Sequence, residues 1–143
     1  MAQKATSSRG TTTDPVPTFY ENYLDIDHWP HRWHIEPRDL RPSERMLDVF
    51  KPFLFWLLDQ GLSRKTLRTH RDHINALGAE IIRRLDLHPE LRKKPIMRVL
   101  TESVGEDGGP LMYPRRTEAE QRAFDSTCRK FHRFLTESKS PSK

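Results

Sequence analysis

The chain has one cysteine and six glycines in 143 residues. A single cysteine excludes an intramolecular disulfide framework and a cysteine-rich zinc site, and it suits a reducing, cytoplasmic compartment. Long apolar runs are missing. The longest, Phe53 to Leu58, is far too short to span a bilayer, so no membrane partner is expected. The first twenty residues hold no apolar h-region, and no secretory signal is expected. Sustained period-two alternation, the mark of a half-buried strand, occurs nowhere, and there is no internal repeat. Gly105, Gly108 and Gly109 lack the Lys-Ser/Thr that a phosphate-binding P-loop requires, and no G-x-S-x-G elbow exists. Carboxylates are scattered among basic residues instead of pairing in an apolar setting. No enzyme activity, cofactor or small-molecule substrate is therefore expected.

What the chain does have is charge. Charged residues make up 31% and hydrophobic ones only 34%, which supports one small domain. The net charge is +5. Residues 1–42 and 43–62 are each net −1, residues 99–143 net +1, and residues 63–98, with 10 basic and 4 acidic side chains, net +6. Basic charge clustered in this way is the footprint of a polyanion partner. A solvated helix face accounts for it equally well.

Hydrophobic spacing predicts an all-α domain of four helices, or five, over residues 43–137. Residues 1–17 and 138–143 are Ser/Thr/Pro-rich and read as disordered tails. Between residues 18 and 42, Tyr20, Tyr23, Trp29 and Trp33 are interleaved with Pro30, Pro37 and Pro42, which block a long helix. This stretch reads as an extended arm, with a helical turn near Phe19 to Leu24, packed on the domain through its aromatics. Ser43 is the expected N-cap of the first long helix, whose apolar residues run from Met46 to Leu58, with a kink at Pro52 and a stop at Gly61. Ser63 caps the second. Its apolar face carries Leu67, His70, Ile74, Leu77, Ile81 and Leu85, and Gly78 on that face marks a close helix crossing. The segment from Pro89 to Val104 is one helix or two short pieces split by Pro95. Residues 105–110 are a loop. Thr117 to Glu120 form a capping box before the last helix, whose apolar face carries Phe124, Cys128, Phe131 and Leu135 and whose far side carries Arg122, Arg129 and Arg133.

Three clusters have a chemical reading beside a structural one. His28, His31 and His34 stand three apart, but Pro30 disrupts the helix that would bring them together, so no metal site is expected. His70 and Cys128 fall on apolar faces and read as core residues. Phe53, Phe55 and Trp56 read as core in preference to a base-stacking platform.

Residues Phe50 to Leu85 read FKPFLFWLLDQGLSRKTLRTHRDHINALGAEIIRRL. A helix ending in F-x-x-W-L, a short Gly-containing turn, then Ser-x-x-Thr opening a basic helix resembles the N-terminal core-binding (SAM-like) domain of tyrosine recombinases, the phage-integrase family. The resemblance covers 36 of the 143 residues. It implies a small helical domain that clamps one side of duplex DNA, the chemistry residing in a separate catalytic domain. No His-x-x-Arg motif occurs here, and Tyr20, Tyr23 and Tyr113 follow no catalytic box, so strand cleavage is not implied. DNA contact is implied at Ser63, Arg64, Lys65, Thr66 and Arg68, with Arg71 at the margin. Arg129 and Arg133 join them if the two basic rows share one concave face.

Two functions follow as expectations. The first is a non-catalytic DNA-binding protein that contacts the duplex backbone, alone or beside a recombinase. The second is a protein-interaction module of a phage or mobile genetic element, docking its partner through the 18–42 arm without touching DNA.

Overall fold

In the computed structural model, which describes residues 16–139, the chain is all-α. Helices α1 (Val16–Tyr23) and α2 (Trp29–Trp33) lead through a 3-10 turn (Pro37–Asp39) into α3 (Leu40–Leu58). Then come α4 (Arg64–Leu87), a 3-10 turn (Pro89–Lys93), α5 (Ile96–Glu102) and α6 (Glu118–Lys139). The expected tails at 1–17 and 138–143 lie outside the described residues, except that α1 takes in residues 16 and 17 and α6 residues 138 and 139.

The core forms where α3, α4 and α6 meet. Met46, Phe50, Phe53, Leu54 and Leu57 bury one face of α3 against Ile74, Leu77 and Ile81 of α4. Phe131 of α6 closes the wedge, its ring 5.6 Å from Phe50 and 5.1 Å from Phe53. The three-four spacing read from the sequence is the spacing that buries one stripe per helix. Trp56 is half-buried beside Phe53, while Phe55 points outward, so the expected aromatic cluster divides between core and surface.

The 18–42 stretch is not an extended arm. Its prolines each sit where a helix or turn begins and an N–H is not needed. Pro30 is in the first turn of α2, Pro37 opens the 3-10 turn, and Pro42 lies in the first turn of α3. Along this stretch Phe19, Tyr23, Ile26, Trp29 and Trp33 enter the core. The Tyr23 hydroxyl donates to the Leu54 carbonyl at 2.8 Å, and burial pushes its phenol above its usual pKa, with Arg71 opposing. Because Pro42 fits a first turn, α3 starts at Leu40, and Ser43 is not its N-cap. Ser43 is buried one turn in, and its Oγ donates back to the Asp39 carbonyl at 2.7 Å. α3 runs through Pro52 to Leu58 and stops ahead of Gly61, at φ +74°, as expected.

The remaining boundaries follow local chemistry. Ser63 caps α4 by accepting the Thr66 N–H at 3.1 Å. Pro95 forces the preceding Lys94 into extended backbone, which separates the 3-10 turn from α5 and makes two pieces of the Pro89–Val104 segment. Before α6, Thr117 Oγ1 accepts the Glu120 N–H at 3.1 Å while the Glu120 carboxylate accepts the Thr117 N–H at 3.0 Å, closing the capping box.

Gly78 makes the close crossing expected of it, and its neighbour is Trp33. An added Cβ would fall inside the van der Waals shell of the indole ring. That ring is pinned by Nε1–H donating to Asn75 Oδ1 at 2.7 Å. Gly78→Ala is expected to destabilise by about 1–3 kcal/mol of overpacking, outweighing a gain of about 1 kcal/mol in helix propensity. Urea unfolding checks this, and a stability at or above that of the parent chain would show the ring free to move aside.

Candidate nucleic-acid interface

The implied contact residues gather at the first two turns of α4, but the fold uses them unequally. The Ser63 hydroxyl donates to Thr66 Oγ1 at 3.0 Å while accepting the Thr66 amide, so it is engaged as a cap. The Thr66 hydroxyl accepts that bond and keeps its own proton to donate. Lys65 and Arg68 are exposed and make no ion pair among the described residues. The guanidinium groups of Arg64 and Arg68 lie over the Phe19 ring, 5.2 and 5.5 Å from its centroid. Cation–π contact lays them along the α1 side of the helix.

Arg71 belongs to the scaffold. Its Nε donates to the Tyr23 carbonyl and its Nη2 to the Asp25 carbonyl, both at 2.9 Å, and its guanidinium stacks 5.3 Å from the Trp29 ring. It fastens the α1–α2 connection to α4. A contact with DNA phosphate would have to compete with these bonds, so Arg71 drops out of the candidate surface.

Five more of the ten cations on residues 63–98 are paired with acids inside the protein. Arg83 and Arg84 both pair with the buried Glu80 at 2.9 Å. Lys94 and Arg98 pair with Glu102 at 3.1 and 3.0 Å. Arg92 pairs with Asp39 and Asp86. The pairs with Glu80 and the Arg98–Glu102 pair lie within a helix turn, whereas Asp39 reaches Arg92 from a distant part of the chain.

Arg129 and Arg133 are exposed on α6, on the face opposite its buried Phe124, Thr127, Cys128 and Phe131. They do not reach across toward α4. The α4 flank that meets α6 carries His70 and His73, while the flank carrying Arg64, Arg68 and Arg71 meets α1, and the two flanks lie about 150° apart around the helix axis. The two basic rows therefore do not form one concave face.

The other reactive side chains are structural. His70 Nδ1 and His73 Nδ1 each share a hydrogen bond with Thr127 Oγ1 at 2.6 Å, which ties both rings to α6. Burial lowers both imidazoles, His70 to about 4, with Lys130 and His73 adding to it. Cys128 is fully buried, and burial together with Asp125 pushes its thiol up to about 12, which suppresses the nucleophilic thiolate.

Sequence reasoning missed a cluster of Glu36, Asp39, Asp86 and Arg92. The three carboxylates approach closely enough to share a cation, and the guanidinium of Arg92 supplies it. Burial and the neighbouring acids raise Asp86 to about 6. Glu36 is held below its usual value, first through its hydrogen bond with Asp86 and then by Arg38. No short motif joins positions 36, 39, 86 and 92. The available signal was an isolated acid beside basic neighbours in each segment.

In comparisons with known proteins, no family model, no curated protein and no solved structure matches the chain.

Proposed function

We propose that the protein is a non-catalytic DNA-binding protein that takes duplex backbone phosphates on the start of α4, as its resemblance to the recombinase clamp domain implies. One observation carries this reading. Most cations of the basic segment are matched by acids or carbonyls, yet Lys65 and Arg68 stand exposed, without an acidic partner among the described residues, at a capped helix start. Arg64 lies beside them, and the Thr66 hydroxyl and the Lys65 amide add neutral donors suited to phosphate oxygens. The contact is electrostatic and carries little base reading.

Lys65→Glu/Arg68→Glu is expected to weaken duplex binding by about tenfold or more at low salt and to reduce the slope of log K against log[salt] by about 2, near 0.9 for each phosphate no longer neutralised. A salt titration by fluorescence anisotropy measures both. Duplex affinity and slope unaltered by the double reversal would remove α4 from the interface.

The protein-interaction reading has its own support. The basic rows diverge, and the outer face of α3 presents Phe55, 52% exposed, in a groove with Leu47, Glu44 and Asp48. With the 18–42 stretch in the core, a partner such as a recombinase would dock on α3 instead. Absence of duplex binding even at low salt would favour this reading.

A further inference from the structure

At the opposite end of the α3–α4 pair is a cleft of about 330 Å³. Leu85, in its lining, lies about 30 Å along the α4 axis from Arg64. The cleft brings together residues distant in sequence. Arg41 and Arg45 stand one turn apart on α3, and Lys94 comes from the segment before α5. Pro42, Leu85 and Ile96 make an apolar floor. Arg38 and Arg92 complete the lining, held by Glu36 and Asp39 respectively.

Arg41 and Arg45 are the unusual pair. Like charges one helical turn apart repel. Both are exposed, and neither makes an ion pair or hydrogen bond among the described residues, although Glu44 and Asp48 share their helix. Arg92, also in the lining, is held by Asp39 and Asp86 and leaves the forks of Arg41 and Arg45 as the open donors. Lys94 is already paired with Glu102, but the two guanidinium forks suit a compact dianion, which each fork can meet with two parallel hydrogen bonds. The apolar floor suits the carbon body attached to that anion, and the volume matches a small-ligand site.

We propose that this cleft binds a small phosphate monoester, with its phosphate on Arg41 and Arg45 and its organic part against Pro42, Leu85 and Ile96. This site is independent of the DNA reading, because it shares no residue with the start of α4.

The test is calorimetric titration of the full chain with adenosine 5′-monophosphate, adenosine and inorganic phosphate. The monophosphate should bind with a dissociation constant of about 0.1–1 mM, inorganic phosphate about tenfold more weakly for want of the floor contact, and adenosine not measurably. Arg41→Ala/Arg45→Ala should weaken the monophosphate by about tenfold or more, and Arg41→Lys/Arg45→Lys by less, since charge remains without the fork. Both positions are exposed, so circular dichroism should show the parent fold in each. Lys65→Glu/Arg68→Glu should leave this binding unchanged while weakening duplex DNA, so either reading can fail alone. The proposal is overturned if adenosine binds as well as its monophosphate, if binding survives Arg41→Ala/Arg45→Ala, if reversal at Lys65 and Arg68 weakens it equally, or if no monophosphate binding occurs up to about 10 mM.

Discussion

Trp29→Ala is expected to lower the unfolding free energy by about 3–5 kcal/mol, within the range for removing a buried tryptophan and a large share of the roughly 5–15 kcal/mol that holds a domain folded. Trp29 is 1% exposed, and its ring lies 5.6 Å from that of Trp33. Arg71 stacks on the ring while bonding the Tyr23 and Asp25 carbonyls. The substitution leaves a cavity and removes one side of the seat of Arg71, so the loss should extend to the α1 attachment. Hydrogen exchange should show residues 19–26 opening before the α3–α4 core. An aromatic arm that merely docks a partner would lose binding with little change in stability, and a urea midpoint equal to that of the parent chain would restore that view.

Asp39→Ala is expected to cost a similar amount, about 3–5 kcal/mol, because it breaks a buried ion pair from one side. Asp39 is fully buried. Its Oδ2 accepts the amides of Ile35 and Glu36 at 2.8 and 2.9 Å, and its Oδ1 accepts from Arg92. Removal leaves two amides and a guanidinium short of an acceptor and loosens the 3-10 turn that starts α3. Asp39→Asn should cost less, since its side-chain oxygen still serves the amides.

The pH dependence gives an independent reading of the same cluster. Burial raises the Asp39 carboxyl, but Arg92 and the two amides outweigh it and hold the group below its usual value. The native state therefore binds fewer protons than the unfolded chain, and this stability, present above about pH 4, is lost as pH falls through the lowered value. Asp86, raised to about 6, acts in the opposite sense, its ionisation opposing the fold as pH climbs from about 4 to 6. Asp39→Ala should shrink the acid limb of the stability curve, as measured by urea unfolding from about pH 3 to 7. An acid limb of unchanged size would mean that Asp39 does not hold the Arg92 charge.

The helices were legible wherever one residue type sets a boundary through its own hydrogen bond. Ser63 and Thr117 cap as their side chains dictate, and the Pro95 ring separates two pieces by its effect on Lys94. His70 and Cys128 were legible as core from the helical period alone. Ser43 misleads because Pro42 looks like a barrier before the helix, when a first turn accepts it. The 18–42 stretch misleads for the same reason, since prolines that break a helix interior can equally sit in the first turns of two short elements and one long helix.

The candidate surface was less legible. The pairs of Arg83 and Arg84 with Glu80, and of Arg98 with Glu102, span three or four residues within one helix and are open to the sequence, but a count of charges cannot show that Arg92 meets Asp39 or that Arg71 faces main-chain carbonyls. The last two matches depend on which elements pack together. The same holds for the cleft of Arg41, Arg45 and Lys94, whose members lie some fifty residues apart.

The sequence by itself determined an all-α chain, its helical faces and most of its helix ends, because these depend on period and on bonds reaching no more than four residues. Only the tertiary structure decided that Arg92 meets Asp39 and Arg71 meets main-chain carbonyls, where Trp29 and Trp33 lie, and that the basic rows of α4 and α6 turn apart. Those outcomes depend on distances between segments, and a one-dimensional pattern of charge and hydropathy carries no information about which segments will meet.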